Sequence, residues 1–367
     1  MVKKLRRIAF LSILLQACCL AVAFAGTCST IDCGHVKDVC FASLDLDPVT
    51  CGLYYGCHCN STAHTESGPC DSEPCGAGCS SDACSYSAKL RVGAAEITTD
   101  FGPALSSATN LTVAVAVQRD KSVVYDWWNL GQGDRGWLPL NGFSSDTPAV
   151  ALNGTYAFII SRRLDGSLFL NQGEVSGSFV GWRPMGFVAK TAPVATSSGN
   201  ITAVAAIADD GSMRYSWWSL GGAASAWQTI ATPTPGWSKP AIALVGNYMF
   251  VISRAPDGQL HVNQGQLGST FVGWQRMDYV SSRTPTAAGS ANTTIVVASD
   301  SQGRFAYTWW KLGSAGNGWT TLNGTIVTRG EPSVSLLGNY LFLAVTDSSG
   351  KIRINQGTLG GAFTGWQ

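Results

Sequence analysis

Cysteine is missing from the last 283 residues of this 367-residue chain, so neither a disulfide framework nor a thiolate metal site can be built there. Histidine is nearly missing too: of four, only His261 lies beyond residue 64. That leaves little for a histidine general base over most of the chain. Asp, Glu, Lys and Arg together make up only 13% of the residues, whereas Phe, Trp and Tyr make up 10%. A disordered chain would show the opposite balance. After the first 25 residues no apolar run reaches about 18, so no transmembrane helix is expected. Neither a G-x-S-x-G elbow, a Walker-type loop nor a sialidase-type Asp box is present.

What is there begins with a leader. Lys3, Lys4, Arg6 and Arg7 precede an apolar run from Ile8 to about Leu20. Ala23-Phe24-Ala25 follows as a small-x-small cleavage pattern, with Gly26 as the mature start. A competing reading takes Leu15-Gln16-Ala17-Cys18 as a lipobox, but Gln is unusual there and apolar residues continue beyond Cys18. Residues 1–25 are therefore expected to be a signal peptide and the protein to be secreted. Without the leader's four cations the chain holds 20 Lys+Arg against 23 Asp+Glu, a net charge of −3. That is no electrostatic footprint for nucleic acid or an anionic membrane.

Ten cysteines are crowded between Cys28 and Cys84: Cys28, Cys33, Cys40, Cys51, Cys57, Cys59, Cys70, Cys75, Cys79 and Cys84. An even number in a short exported segment reads as a disulfide framework, here over residues 26–87, with pairing left open. His35, His58 and His64 lie among them, but the spacing is not that of a paired CxxC zinc site, so no metal is expected. Six N-x-S/T sequons start at Asn60, Asn110, Asn153, Asn200, Asn292 and Asn323 and are expected to be glycosylated on exposed turns or strand edges.

The rest of the chain repeats. Asp126-Trp127-Trp128-Asn129-Leu130-Gly131 recurs as Ser216-Trp217-Trp218-Ser219-Leu220-Gly221 and as Thr308-Trp309-Trp310-Lys311-Leu312-Gly313. Asn171-Gln172-Gly173 recurs as Asn263-Gln264-Gly265 and Asn355-Gln356-Gly357. Each long repeat is itself double, because a Trp closes every half: Trp137, Trp182, Trp227, Trp274, Trp319 and Trp366. Six units of about 46 residues result, alternating between a Trp-Trp type and an Asn-Gln-Gly type. Within one unit, Pro240 to Val245, Tyr248 to Arg254, Gln259 to Gln264 and Gly273 to Met277 read as four strands, with Asp257-Gly258 as a hairpin turn. Four strands per unit is the size of a propeller blade, and blades bury their faces only by packing around an axis. The fold class is therefore all-β: a six-bladed β-propeller over residues 88–367 behind a small disulfide-rich module. The last unit stops at Trp366-Gln367 before its outer strand is complete. The segment 88–104 is expected to supply that strand and close the ring.

Phe250-Val251-Ile252-Ser253, then Asp257-Gly258-Gln259-Leu260-His261, then Gly268 to Gln275 resemble the blade consensus of the bacterial PLL-type propeller lectins. More loosely, the repeat is similar to fungal fucose-binding propellers and tectonin-like repeats. The resemblance covers residues 88–367 and implies a propeller that binds sugars.

The residues point the same way. A glycosidase needs two carboxylates flanking its bond, but acidic side chains here sit mostly at turns, as Asp165 and Asp257 do. Repetition suits a multivalent binder better than a single asymmetric catalytic site. Aromatic faces for sugar C–H surfaces and amides for hydroxyl pairs fall in one strand position of alternate units. Trp127, Trp217 and Trp309 align with Gln172, Gln264 and Gln356, and Trp128, Trp218 and Trp310 align with glycines. With Asn171, Asn263 and Asn355, these are the candidate ligand contacts. The amides would otherwise satisfy backbone groups between blades. The six closing Trp are expected to be blade-to-blade packing. The expected protein is a secreted lectin without cofactor or catalytic residues, whose partners are glycans or cell-surface glycoproteins. Its alternatives are an extracellular scaffold and a glycoside-processing enzyme.

Overall fold

The computed structural model describes residues 97–322 and 324–367, part of a compact unit spanning Ala95–Gln367. The expected signal peptide and disulfide module, Asn60 and Asn323 lie outside the described residues.

Six antiparallel meanders make up the unit. Blade 1 is β1 (Ala104–Ala108), β2 (Leu111–Val117), β3 (Ser122–Asn129) and β4 (Leu138–Phe143). Blade 2 is β5 (Ala149–Asn153), β6 (Tyr156–Arg162), β7 (Ser167–Glu174) and β8 (Arg183–Val188). Blade 3 is β9 (Val194–Ser198), β10 (Ile201–Ile207), β11 (Met213–Ser219) and β12 (Gln228–Ile230). Blade 4 is β13 (Ala241–Val245), β14 (Tyr248–Arg254), β15 (Gln259–Gln266) and β16 (Gln275–Val280). Blade 5 is β17 (Thr286–Ser290), β18 (Thr293–Ser299), β19 (Phe305–Lys311) and β20 (Thr320–Thr321). Blade 6 has three named strands, β21 (Ser333–Leu337), β22 (Tyr340–Thr346) and β23 (Ile352–Thr358).

The first strands touch in the closed cycle β1-β5-β9-β13-β17-β21-β1, which makes the meanders blades of a ring. Second strands such as β2 are buried along their whole length. Both faces of each sheet meet a neighbouring blade, so these strands read as unbroken apolar runs rather than alternating ones. At the outer hairpins the carboxylates of Asp165, Asp210 and Asp257 accept the backbone N–H two residues on, at 2.9, 2.8 and 3.0 Å. Four sequon residues fall on the inner hairpins: Asn110, Asn200 and Asn292 are exposed second turn residues, and Asn153 directly precedes its turn.

Closure differs in extent from the sequence expectation. Thr99 N donates to Gly350 O at 2.9 Å, and Thr98 bridges Lys351. The same bond ends the outer strands of blades 2 and 4, as Ala189 N to Gly166 O and Ser281 N to Gly258 O. At the other end Ile354 and Gln367 exchange both backbone bonds, at 3.0 and 3.1 Å. The outer position of blade 6 is thus started by Gln367 and finished by the stretch around Thr98. The borrowed piece is shorter than 88–104, because Ala104 already begins the innermost strand of blade 1. Residues 88–96 lie outside the described residues.

Around the seam, Leu105 N donates to Ser333 Oγ at 2.8 Å and Thr346 Oγ1 to Phe101 O at 2.6 Å. The backbones of Gly102 and Glu331 approach so closely that a Cβ on Gly102 would overlap the Glu331 carbonyl. Proline precedes the first strand of every blade. Five of these prolines, with Lys239 and Glu331, line an axial cavity of about 70 Å³. Lys239 Nζ pairs with Glu331 Oε2 across it.

Candidate functional site

Adjacent residues of a strand face opposite ways. The two Trp of each Trp-Trp pair therefore enter two different inter-blade spaces, and these spaces differ in kind.

Between blades 1 and 2, 3 and 4, and 5 and 6, Trp127, Trp217 and Trp309 join closed apolar clusters. Each space is filled by a phenyl ring delivered from a loop. Phe179, Phe271 and Phe363 meet Tyr125, Tyr215 and Tyr307 with centroids 5.2, 5.5 and 5.7 Å apart. The loops fold directly over Gly173, Gly265 and Gly357: a Cβ would collide with them at Gly173 and Gly357 and press tightly on Phe271 at Gly265. This is why glycine stands opposite Trp in the alternating pattern.

Between blades 2 and 3, 4 and 5, and 6 and 1, no loop phenyl enters; the loop rings there are Trp227, Trp319 and Trp137, with Trp227 and Trp319 stacked on Phe187 and Tyr279. Trp218 meets Phe158 edge-on at 5.5 Å, Trp310 meets Phe250 at 5.4 Å, and Trp128 meets Phe342 at 5.9 Å. Tyr156, Tyr248 and Tyr340 pack beside the same phenyl rings. Phe158, Phe250 and Phe342 pair across strands with Gln172, Gln264 and Gln356, which places those carboxamides on the same face. All three are half-buried and make no side-chain hydrogen bond to the described residues. Leu130, Leu220 and Leu312, two residues beyond the Trp on the same side, are 44–46% exposed. Of their counterparts at the closed boundaries, Val175 is 1% exposed and Leu267 and Leu359 are half-buried. The second set of boundaries is thus the more open at this end, each with a free amide and a half-buried Tyr, while the phenyl rings, 1–2% exposed, and Trp218, 4% exposed, form the packed floor beneath them. The three differ at one position: Tyr156 pairs across strands with Glu174, where Tyr248 pairs with Gln266 and Tyr340 with Thr358.

Asn171, Asn263 and Asn355 do not line these clefts. They are 0–3% exposed, and their Oδ1 atoms accept from Gly181 N, Gly273 N and Gly365 N at 2.9, 2.9 and 3.0 Å. They hold the loop that follows each third strand. The closing Trp reach the preceding blade: Trp182 Nε1 donates to Leu140 O at 3.2 Å, Trp274 to Ala231 O at 2.7 Å and Trp319 to Met277 O at 3.0 Å. Sequence reasoning passed over Tyr156, Phe158, Tyr248, Phe250, Tyr340 and Phe342. The signal was present, as Tyr-x-Phe recurs ahead of each Asn-Gln-Gly.

Asp126 occupies the loop-holding position in blade 1, where its Oδ1 accepts from Trp127 N at 2.7 Å and Arg135 N at 3.1 Å. Burial, reinforced by nearby Asp134, raises its carboxyl to about 6 against the backbone bonds that favour the anion. A raised folded value means that its contribution is complete below the ordinary 3.8 and is lost as pH rises through 6. Asp126→Asn, which copies blades 2, 4 and 6, is expected to stabilise the protein by about 2 kcal/mol at pH 8 and hardly at all at pH 4. Urea melts at the two pH values check this, and an equal effect at both would contradict it.

Among the described residues no three His, Cys, Asp or Glu are grouped so as to hold a metal, and no helix is long and apolar enough to cross a membrane.

No family model and no curated protein matches the chain. Solved structures do share its fold. The BP39L lectin of Burkholderia pseudomallei is 17% identical with a TM-score of 0.54, covering 70% of this chain and 80% of that one. The six-bladed lectin of Aleuria aurantia is 14% identical with a TM-score of 0.55, covering 73% and 96%. AofleA from Arthrobotrys oligospora is 12% identical with a TM-score of 0.56, covering 74% and 86%.

Proposed function

We propose that the protein is a carbohydrate-binding propeller whose three open boundaries each take one neutral sugar. The observation that carries this is the threefold recurrence of an unpartnered, half-buried glutamine on the face of a half-buried Tyr: Gln172 with Tyr156, Gln264 with Tyr248 and Gln356 with Tyr340. A carboxamide offers both donors and acceptors to paired hydroxyls, and aromatic surface suits the C–H faces of a sugar ring. Three equivalent sites on a rigid ring give avidity from weak contacts. The fold of SapL1 lectin, solved with alpha-methyl fucoside, and of the Aleuria aurantia lectin supports the reading. An apparent leader, a cysteine-rich segment and six sequons support a secreted glycoprotein, disulfide-stapled over 26–87, that meets glycans or cell-surface glycoproteins.

The test is a glycan array followed by titration of the best ligand. Gln172→Ala, Gln264→Ala and Gln356→Ala break no protein hydrogen bond, so the triple variant is expected to melt like the parent. Its affinity should fall at least tenfold, since each lost sugar bond is worth about 1 kcal/mol or more. Absence of binding to any glycan at high valency, or a triple variant that binds like the parent, would refute the proposal.

A further inference from the structure

The three sealed boundaries match at their loop ends but differ at the outer rim. In blade 6, Asp347 precedes the outer turn and Arg353 on β23 pairs with it, Nε to Oδ2 at 2.9 Å. In blade 4, the corresponding residues are Ala255 and His261, and Trp237 from the blade 3 connection covers this place. The Trp237 ring lies 5.1 Å from His261 and 4.5 Å from Trp274. In blade 2, the same two positions hold Arg163 and Phe169. Among the described residues no carboxylate pairs with Arg163.

Arg163 instead lies with its guanidinium over the Phe169 ring, 4.7 Å from the centroid. Its Nε is buried without a hydrogen-bond partner. Asp165 on the adjoining turn feels the charge, but no carboxylate comes within ion-pair distance among the described residues. Arg163 forms one wall of an open cleft of about 310 Å³, whose other walls are Pro139, Phe143, Val123, Ser122 and Asn141. Asn141 is exposed and its carboxamide makes no hydrogen bond to the described residues. The buried Nε is out of reach of a ligand, but the Nη groups make no hydrogen bond among the described residues and are the donors an anion would complete. The blade 6 counterpart shows how the fold completes such a charge, by supplying Asp347.

We propose that the cleft between the outer strand of blade 1 and the outer turn of blade 2 is a second ligand site, which takes a carboxylate on Arg163. Phe143 and Pro139 present apolar surface to the body that carries the carboxylate, and Asn141 offers it an amide. A uronic acid residue of a glycan has this chemistry, and so in part does a simple organic acid. The site shares no residue with the three open boundaries, so the proposal stands or falls separately from the neutral-sugar reading.

Ligand-observed NMR and titration calorimetry on the full chain, with glucuronate, acetate and glucose as probes, test it. Glucuronate is expected to bind, glucose not to displace it, and Arg163→Gln to weaken it at least tenfold while melting within a few degrees of the parent. Gln172→Ala/Gln264→Ala/Gln356→Ala should leave glucuronate binding unchanged. Displacement by acetate at equal concentration assigns recognition to the carboxylate alone, and much weaker displacement assigns a share to the sugar ring; both outcomes support the site. Displacement of glucuronate by glucose at equal concentration on the Gln172→Ala/Gln264→Ala/Gln356→Ala protein, or an Arg163→Gln protein that binds glucuronate like the parent, overturns it.

Discussion

Gly102→Val is expected to cost about 3 kcal/mol and to lower the melting temperature by roughly 6–12 °C. Gly102 has ordinary negative φ, so the penalty is steric alone. A side chain there meets the Glu331 carbonyl, and backbone cannot swing aside as a flexible side chain can. The strand must shift, and with it Phe101 O, which accepts from Thr346 Oγ1, and Leu105 N, which donates to Ser333 Oγ. These are bonds between the first and the last blade. Loss should therefore show first as hydrogen exchange at the 6–1 boundary, ahead of the 3–4 boundary. Gly133→Val is the control, since nothing lies within 4 Å of a Cβ at Gly133. Equal stability of the Gly102→Val and Gly133→Val proteins would show that closure does not depend on this approach.

Lys239→Met is expected to destabilise the protein by about 2 kcal/mol, less than for a fully buried pair because part of Glu331 is open to water. Burial alone would raise the Glu331 carboxyl. The charge and hydrogen bond of Lys239 and a hydrogen bond with Thr284 more than offset this, so it stays below its ordinary 4.5. A lowered folded value means that the contribution is present above 4.5 and is lost as pH falls through the folded value. Lys239→Met should therefore hurt most at neutral pH and least in acid. Lys239→Met/Glu331→Leu should recover most of the loss, because an apolar pair of similar size has no charge to leave unpaired. A double variant no better than the single would mean that the pair acts through something other than its charges. Asp146 shares this end of the axis. Burial raises its carboxyl despite the ion pair with Arg162 at 3.1 Å, and Lys239 is among the cations that hold it down.

The ring was legible because its turns and closing tryptophans recur at nearly constant spacing, and turn chemistry is local. Asp165 and Asp257 were readable as turn residues for the same reason. The clefts were only half legible. Strand alternation separates Trp127 from Trp128, but it does not say which boundary a loop phenyl will fill. That depends on Gly173 letting its own loop fold back over the strand. The asparagines misled because Asn and Gln are chemically alike. Asn171 and Gln172 are neighbours, yet one is buried as a loop tether and the other is left free. Only the three-dimensional path of Gly181 distinguishes them. Closure was legible as a need, since six blades must meet in a ring, but not in extent. Gln367 contributes its own first rung, and Ala104 is already committed elsewhere.

The seam at Thr98 and Lys351 also constrains the order of events during synthesis. The stretch around Thr98 is made before any blade, and its partner strand β23 only after the other five blades. Until then five blades can stack while blade 1 keeps one whole face open to solvent, with Leu105 and Ala114 on it waiting for Phe342 and Ala344. Pairing of such distant residues is slow, and an unpaired apolar face is prone to find a second chain. The ring's most vulnerable moment should be the interval before its final strand arrives, when two nascent chains could complete each other in place of themselves.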